Sequence, residues 1–190
     1  MARVIYNAAA TLNGFIADDE DSLSWLFAVE SAGAPDNAAF LRGIGALVMG
    51  STTYEWVLRE ERILERPGRW QELEYVGGRP AFVFTTRRLP TPEGADVRLV
   101  RGAVADRLPD LAAAAGDRDL WLLGGGDLAG QFLDVDALDE IQVSVAPATL
   151  PGGAALLPRR VGPDRLALTS AERHGQFVHL VYAVQRPAGG

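Results

Sequence analysis

The segment at residues 120–129 constrains the fold more than any other part of this chain. Four apolar residues, Leu-Trp-Leu-Leu, run into three consecutive glycines and then into the spacing of a helix. The apolar run predicts a buried strand, and residues 128–133 predict a helix. A strand that passes through a glycine turn directly into a helix is typical of an α/β sheet, because the helix must return across a face of that sheet.

The same alternation extends through most of the chain. Apolar runs predict buried strands at residues 4–10, 46–49, 80–85, 97–100, 120–123 and 141–146. The clearest helical pattern, at residues 104–115, ends before a glycine. Residues 166–173 and 177–184 predict a C-terminal hairpin, whereas residues 59–78 predict an irregular surface segment. Together these elements predict an α/β fold with a mostly parallel sheet and an antiparallel C-terminal edge.

Length and charge narrow the class of protein. The 190 residues suit one domain, which we expect at residues 1–186 with a loose tail at 187–190. The formal net charge of −7 gives no general attraction to nucleic acid or to an anionic membrane. The N-terminus lacks the pattern of a signal peptide, and no apolar run is long enough to span a bilayer. We therefore expect a cytoplasmic protein whose partner is a small molecule.

The glycine turn itself predicts a binding site for phosphate. Gly124, Gly125 and Gly126 let the backbone approach a ligand closely. The helix that follows offers free N–H groups and the positive end of its dipole. These properties suit the pyrophosphate of a dinucleotide. The alternative is a tight turn that binds nothing.

A second turn of this kind follows the predicted strand that ends at Gly50. Ser51, Thr52 and Thr53 place three hydroxyl groups at the start of a predicted helix. Such groups either cap the helix or bind phosphate, and considered alone this turn favours capping.

A third turn follows the strand at residues 80–85. Thr85, Thr86, Arg87 and Arg88 combine two hydroxyls with two guanidinium groups, and a guanidinium group matches phosphate oxygens. A solvated loop is the alternative. The three turns are predicted at the carboxyl ends of three strands, which is the edge where open α/β sheets bind ligands. Three phosphate-binding turns at one edge suit an extended dinucleotide.

Gly124, Gly126 and Ala129 also match the dinucleotide fingerprint of a Rossmann domain. That turn usually opens a Rossmann domain, and a carboxylate ends the strand that follows it. Here the turn lies late in the chain, and the acidic pair Asp139 and Glu140 precedes the next strand. A Rossmann-type dehydrogenase is therefore the weaker interpretation.

Several stretches, taken together, resemble the dihydrofolate-reductase-like superfamily. Within it, they are most similar to the reductase domain of bifunctional riboflavin-biosynthesis proteins and to its stand-alone relatives. The stretches occur in family order at residues 10–17, 48–55, 83–87, 120–128, 138–141, 145–147 and 150–153. The resemblance implies a three-layer α/β/α fold, a mixed sheet of about eight strands, and an NADPH-dependent reductase.

The resemblance also implies where NADPH binds. It places the pyrophosphate at the glycine turn, the adenosine ribose phosphate at the two hydroxyl-rich turns, and the nicotinamide against the first strand. The implied cofactor-binding residues are Ala9, Ile16, Gly50, Ser51, Thr52, Thr53, Thr85, Thr86, Arg87, Arg88, Gly124, Gly125, Gly126, Asp127, Leu128 and Ala129. Relatives often carry Arg or Lys where Ser51 stands, so a preference for NADP over NAD would depend on Arg87 or Arg88.

Two carboxylates each match half of the spacing of the catalytic acid in dihydrofolate reductases, which follows a Trp-containing loop. Glu30 lies five residues after Trp25, and Asp36 lies four residues before Phe40. The alternatives are a solvated helix residue for Glu30 and a helix cap for Asp36. The Pro beside the Trp of true dihydrofolate reductases is missing, so dihydrofolate is not the expected main substrate.

The implied reaction is hydride transfer from NADPH to a small heterocyclic or phosphoribosyl substrate, as in the 5-amino-6-(5-phosphoribosylamino)uracil reductase of riboflavin biosynthesis or in pterin reduction. The alternative is a nucleotide-binding regulatory or vestigial protein without turnover. The chain has no Cys, so the zinc deaminase half of the bifunctional proteins is absent, and no metal site is predicted. Relatives commonly pair through sheet-edge strands, which implies a homodimer built on the C-terminal hairpin.

Overall fold

The computed structural model describes residues 2–30, 37–66 and 68–186. In these ranges the strands are β1 (Val4–Thr11), β2 (Phe15–Ala17), β3 (Ile44–Gly50), β4 (Ala81–Phe84), β5 (Val97–Val100), β6 (Asp119–Gly124), β7 (Glu140–Ala146), β8 (Ala154–Ala155), β9 (Leu166–His174) and β10 (Phe177–Val184). The helices are α1 (Ser24–Phe27), α2 (Ala38–Arg42), α3 (Ser51–Glu60), α4 (Arg69–Glu72), α5 (Val104–Ala115) and α6 (Gly126–Asp134). The strand at 97–100 and the helix at 104–115 have the predicted bounds.

Eight strands form one mixed sheet in the order β5-β4-β3-β6-β1-β7-β10-β9. The six strands from β5 to β7 in this order are parallel. Strand β10 is antiparallel to both of its neighbours, β7 and β9. The predicted mostly parallel sheet with an antiparallel C-terminal edge is therefore confirmed.

The hydrophobic core lies in two layers on opposite faces of this sheet. On one face, α5 and α6 bury Leu111 and Phe132 against the sheet. On the other, α3 and α4 bury Tyr54, Val57 and Trp70. The fold is thus the three-layer α/β/α arrangement that the resemblance implies.

Two elements depart from the sequence patterns. Residues 59–78 were expected to be irregular, but α3 extends to Glu60 and α4 forms a short helix at Arg69–Glu72. Trp70 in α4 is only 2% exposed and packs edge-to-face on Tyr54, with ring centroids 5.9 Å apart. Strands β2 and β8 form a separate antiparallel pair that the patterns did not predict. A helix of four residues and strands of two or three residues are too short to show a hydrophobic period.

After the neighbouring strands β3 and β6, the chain continues to opposite faces of the sheet. The helix that follows β3 packs on one face of the sheet, and the helix that follows β6 packs on the other. The two connections diverge at Gly50 and Gly124, the last residues of these strands. Ligands of open α/β sheets bind in the crevice that such a divergence leaves at the carboxyl edge.

Because burial raises the pKa of three tyrosines, we expect the protein to lose stability at high pH. Burial raises the pKa of Tyr54 from 10.0 to about 12, and burial also raises the pKa values of Tyr6 and Tyr75. The unfolded chain releases these protons near pH 10, whereas the folded chain retains them. The free energy of unfolding is therefore constant with respect to these groups below about pH 9 and falls above pH 10, by about 1.4 kcal/mol per pH unit for each tyrosine.

Urea denaturation between pH 8 and pH 11.5 measures this decline. Tyr54→Phe should make the decline shallower by the contribution of one tyrosine. A free energy of unfolding that stays constant up to pH 11.5 would contradict the prediction.

Candidate functional site

Two connected cavities lie at the carboxyl edge of the sheet. The smaller, about 350 Å³, is lined by the residues that follow β3, β4, β5 and β6. The larger, about 570 Å³, extends from the glycine turn past β1 to the aromatic residues Trp56 and Trp121. Thr52, Gly125 and Asp127 line both cavities. The two cavities therefore form one cleft, which we call the edge cleft.

The N-termini of two helices meet at the edge cleft. Helix α3 begins at Ser51 after Gly50, and α6 begins at Gly126 after Gly125. No side chain caps either helix, so the prediction that Ser51 or Thr52 caps α3 is wrong. The N–H groups of a first helical turn have no partner within the helix. Two sets of such donors are thus available to an anion in one cleft.

The glycine turn is packed on one side and open on the other. A Cβ on Gly126 would lie 2.1 Å from the carbonyl oxygen of Ala155, and a Cβ on Gly124 would lie 3.2 Å from Oγ1 of Thr53. A Cβ on Gly125 would meet no atom within 4 Å. The φ of Gly124 is 143°, a value that L side chains rarely adopt. The open space in front of Gly125, beside two uncapped helix ends, fits a pyrophosphate group.

Asp127 places a carboxylate in the first turn of α6. Its oxygens accept hydrogen bonds from Gln131 at 2.9 Å and from Arg159 at 3.0 Å, and these bonds hold the pKa of Asp127 below its usual value. Arg159 also binds Asp134 at 2.9 Å and packs on Gly130, where a Cβ would lie 2.6 Å from the guanidinium carbon. Arg159 therefore holds and neutralises this carboxylate. Sequence reasoning missed Arg159, because no local pattern links it to a helix 25–32 positions earlier.

The third turn, at residues 85–88, lines the edge cleft with its hydroxyl residues and not with its two arginines. Thr85 and Thr86 line the smaller cavity, whereas Arg87 and Arg88 line neither. Arg87 donates to both carboxylate oxygens of Glu55, at 3.0 and 2.5 Å. The basic residue that lines the smaller cavity is Arg101, which follows β5 and forms no ion pair within the described parts of the chain. An Arg-Gly pair directly after the fourth predicted strand was the available signal for this residue.

The remaining residues implied for cofactor binding lie mostly in the edge cleft. Ala9 and Ile16, which the resemblance places beside the nicotinamide, line the larger cavity, and Leu128 lines the smaller one. Ala129 is buried and lines neither. The position of Trp121 is set by its Nε1, which donates to the carbonyl oxygen of Asn7 at 3.1 Å.

The structure describes one of the two carboxylates that sequence reasoning proposed as acids. Glu30 is exposed and lines neither cavity, and Asp36 lies outside the described residues. Asp21 does line the larger cavity, with φ of 57°. Its loop is shaped by Asp18, whose Oδ1 accepts the backbone N–H groups of Glu20 and Ser22. The acidic run at residues 18–21 had the pattern of a solvated loop, so sequence reasoning did not select Asp21.

The described residues contain neither a candidate metal site nor a helix that could span a membrane. No group of three or more His, Cys, Asp or Glu side chains is placed to hold a metal ion. None of the helices in the described ranges has the length and apolar character needed to cross a membrane.

Residues 2–180 match the RibD C-terminal domain family. A relative, the uncharacterized protein YwjB of Bacillus subtilis (strain 168), is 25% identical over 180 residues, which cover 95% of this chain and 97% of that protein. The sequence resemblance to the reductase domain of riboflavin-biosynthesis proteins is thereby confirmed.

Solved structures share the fold. A putative riboflavin biosynthesis protein from Shewanella sp. PV-4 has a TM-score of 0.75 and 27% identity, with 98% of this chain and 100% of that chain covered. The deaminase/5-amino-6-(5-phosphoribosylamino)uracil reductase of Thermotoga maritima has a TM-score of 0.65 and 18% identity, covering 97% of this chain and 57% of that one. Dihydrofolate reductase from Enterococcus faecalis, complexed with NADP(H) and RAB-propyl, has a TM-score of 0.61 and 15% identity, with 97% of each chain covered.

Proposed function

This chain belongs to the RibD C-terminal domain family, and we propose that it is an NADPH-dependent reductase of a small heterocyclic substrate. One observation carries the proposal: the uncapped N-termini of α3 and α6 meet in a cleft that continues into a largely apolar cavity. Phosphates need N–H donors, and a nicotinamide ring needs a dry, apolar wall. The edge cleft offers both in one continuous space, and the fold neighbours include reductases.

We assign the parts of the cofactor to the parts of the edge cleft. The backbone N–H groups at the start of α6 would hold the pyrophosphate. Ser51, Thr52, Thr85 and Thr86 would hold the adenosine ribose phosphate, together with Arg101. Ala9 and Ile16 would contact the nicotinamide. These residues line the cleft.

When bound, NADPH supplies a hydride, and the reduction of a C=N or C=O group also consumes a proton. The chain holds the acceptor in the larger cavity and limits its contact with water. Among the described residues, the carboxylate residues that line this cavity are Asp21 and Asp127. The Asp127 carboxylate is engaged by Gln131 and Arg159, whereas the Asp21 side chain has no hydrogen bond or ion pair to any residue that the structure describes. We therefore assign to Asp21, which is exposed to solvent, the relay of a proton from water to the acceptor.

Titration with NADPH and with NADH tests the proposal, followed through the fluorescence of Trp56 and Trp121, which line the larger cavity. We expect both nucleotides to quench this fluorescence and NADPH to bind more tightly. Turnover is then tested by NADPH oxidation with pterin, flavin-precursor and pyrimidine acceptors. Failure of both nucleotides to bind would overturn the proposal. Tight binding without oxidation of NADPH by any acceptor would instead support a nucleotide-binding protein without turnover.

Arg101→Ala is expected to raise the Kd of NADPH about tenfold or more and to leave the Kd of NADH nearly unchanged. The two nucleotides differ by one phosphate, and a charge-assisted hydrogen bond to it contributes about 1.5–3 kcal/mol. Arg87→Ala is the matched control, because Arg87 is also exposed but is paired with Glu55. Isothermal titration of both variants with both nucleotides measures the effect. Equal losses for NADPH and NADH, or a larger loss from Arg87→Ala, would contradict the assignment.

A further inference from the structure

The larger cavity, where the acceptor is expected to bind, is mainly apolar and aromatic. Its large side chains include those of Ile16, Leu23, Leu26, Trp56, Tyr75 and Trp121. The rings of Tyr75 and Trp121 contact edge-to-face, with centroids 6.4 Å apart. Cavities lined in this way bind planar, apolar ring systems.

No basic side chain lines this cavity in the described structure. The residues outside the described ranges, at 1, 31–36, 67 and 187–190, include no Arg and no His, and the whole chain has no Lys. The guanidinium of Arg159 neighbours the lining residue Pro158, but it is engaged by the carboxylates of Asp127 and Asp134. A phosphate group that entered this cavity would therefore lose part of its hydration, and no cation would compensate for that loss.

The charge in the cavity has the same sign as a phosphate. Asp21 and Asp127 are the carboxylate residues that line it in the described part of the chain, and Arg159 neutralises only the second. An unpaired carboxylate repels a phosphate dianion, and a partly desolvated anion without a counterion is costly.

We propose that the acceptor is an uncharged, planar heterocycle without a phosphate group. The phosphoribosyl compound that the resemblance to riboflavin-biosynthesis reductases implies is then not the substrate. This inference rests on the proposed function, because it takes the uncapped helix ends of the edge cleft to be filled by NADPH. The apolar walls stack on the ring system, and Asp21 acts as a selectivity element against anions.

Riboflavin and FMN form a matched pair of probes, because they share one ring system and differ by a terminal phosphate. Each is titrated into the protein in the presence of saturating NADP⁺, which occupies the helix ends that would otherwise attract the phosphate of FMN. Flavin fluorescence reports the binding of the probe, and a separate calorimetric titration reports the binding of NADP⁺. We expect riboflavin to bind at least about tenfold more tightly than FMN.

Asp21→Asn tests the selectivity element directly. Asn tolerates the positive φ of this position, so the loop should be retained. The substitution should reduce the preference for riboflavin over FMN roughly fivefold, since one repulsive charge is removed. Glu20→Gln is the matched control, because Glu20 lies in the same acidic loop, does not line the cavity, and changes the net charge equally. The control should leave the preference unchanged.

The outcomes separate this inference from the proposed function. Absence of NADP⁺ binding overturns the proposed function, and the inference that rests on it. With NADP⁺ bound, FMN binding as tightly as riboflavin overturns the inference alone. A preference for riboflavin that Asp21→Asn does not reduce also overturns it, whereas a reduced preference in Asp21→Asn and an unchanged one in Glu20→Gln support it.

Discussion

Replacement of Gly125 by valine is expected to weaken NADPH binding at least 100-fold while the protein remains folded. The backbone at Gly125 is extended, with φ of −84° and ψ of 179°, so an L-residue fits there. A Cβ at this position meets no atom within 4 Å, because it enters the edge cleft. The branched side chain would occupy the space assigned to the pyrophosphate. Loss of two charge-assisted hydrogen bonds costs about 3 kcal/mol or more, which is roughly 100-fold in Kd.

Calorimetric titration with NADPH and urea denaturation of the same preparation test this prediction. The free energy of unfolding should change by no more than about 1 kcal/mol, since valine is a poorer N-cap residue than glycine. Gly125→Ala is the graded control, with an expected loss of about tenfold, because its smaller side chain displaces fewer of the same contacts. An unchanged Kd in the valine variant would show that no phosphate binds at this turn.

Gly126→Ala is expected to have the opposite profile, a large loss of stability. The added Cβ would lie 2.1 Å from the carbonyl oxygen of Ala155 and 2.5 Å from that of Leu156. These carbonyls cannot easily move away, because Leu156 is held at both of its backbone polar groups. Its carbonyl oxygen accepts a hydrogen bond from the Tyr6 hydroxyl at 2.9 Å, and its N–H donates to the carbonyl oxygen of Gly14 at 2.8 Å. We expect the free energy of unfolding to fall by about 3 kcal/mol. For a domain of this size the Tm should fall by roughly 6–12 °C.

Differential scanning calorimetry measures this change, and Gly125→Ala is the neighbouring control that should retain a Tm close to that of the wild-type protein. A wild-type Tm for Gly126→Ala would mean that the segment containing β8 moves freely away from α6. Because the two glycines are adjacent, the pair separates a ligand-facing role from a packing role within one turn.

The sequence predicted the backbone features of the site because they are local. A strand, a glycine turn and a helix are specified by consecutive residues, so Gly124, Gly125 and Gly126 could be recognised without knowledge of the fold. The same holds for the hydroxyl-rich turns that start at Ser51 and at Thr85. The structure places these turns in one cleft because parallel strands end at the same edge of their sheet.

The charged residues of the site depend on contacts between distant segments, and sequence reasoning assigned them less well. Arg87 had the pattern of a phosphate ligand, but Glu55, 32 positions earlier, binds its guanidinium group. Arg101 lies in the cleft because β5 is paired beside β4, which no local pattern around residue 101 shows. The spacing from Trp25 favoured Glu30 as an acid, yet the structure leaves Glu30 exposed outside the cleft and places Asp21 on its wall.

The sequence by itself determined the order of the main strands and helices and the mixed character of the sheet, because these follow from hydrophobic periods and turn residues along the chain. The family followed from motifs that resemble those of known reductases and occur in the same order. Only the tertiary structure decided which side chains face the edge cleft and which are already paired. The physical reason is that backbone conformation depends on neighbours in sequence, whereas the availability of a charge depends on neighbours in space. Arg159 and Asp21 show both sides of this difference, since one is engaged by distant carboxylates and the other is left free to meet a ligand.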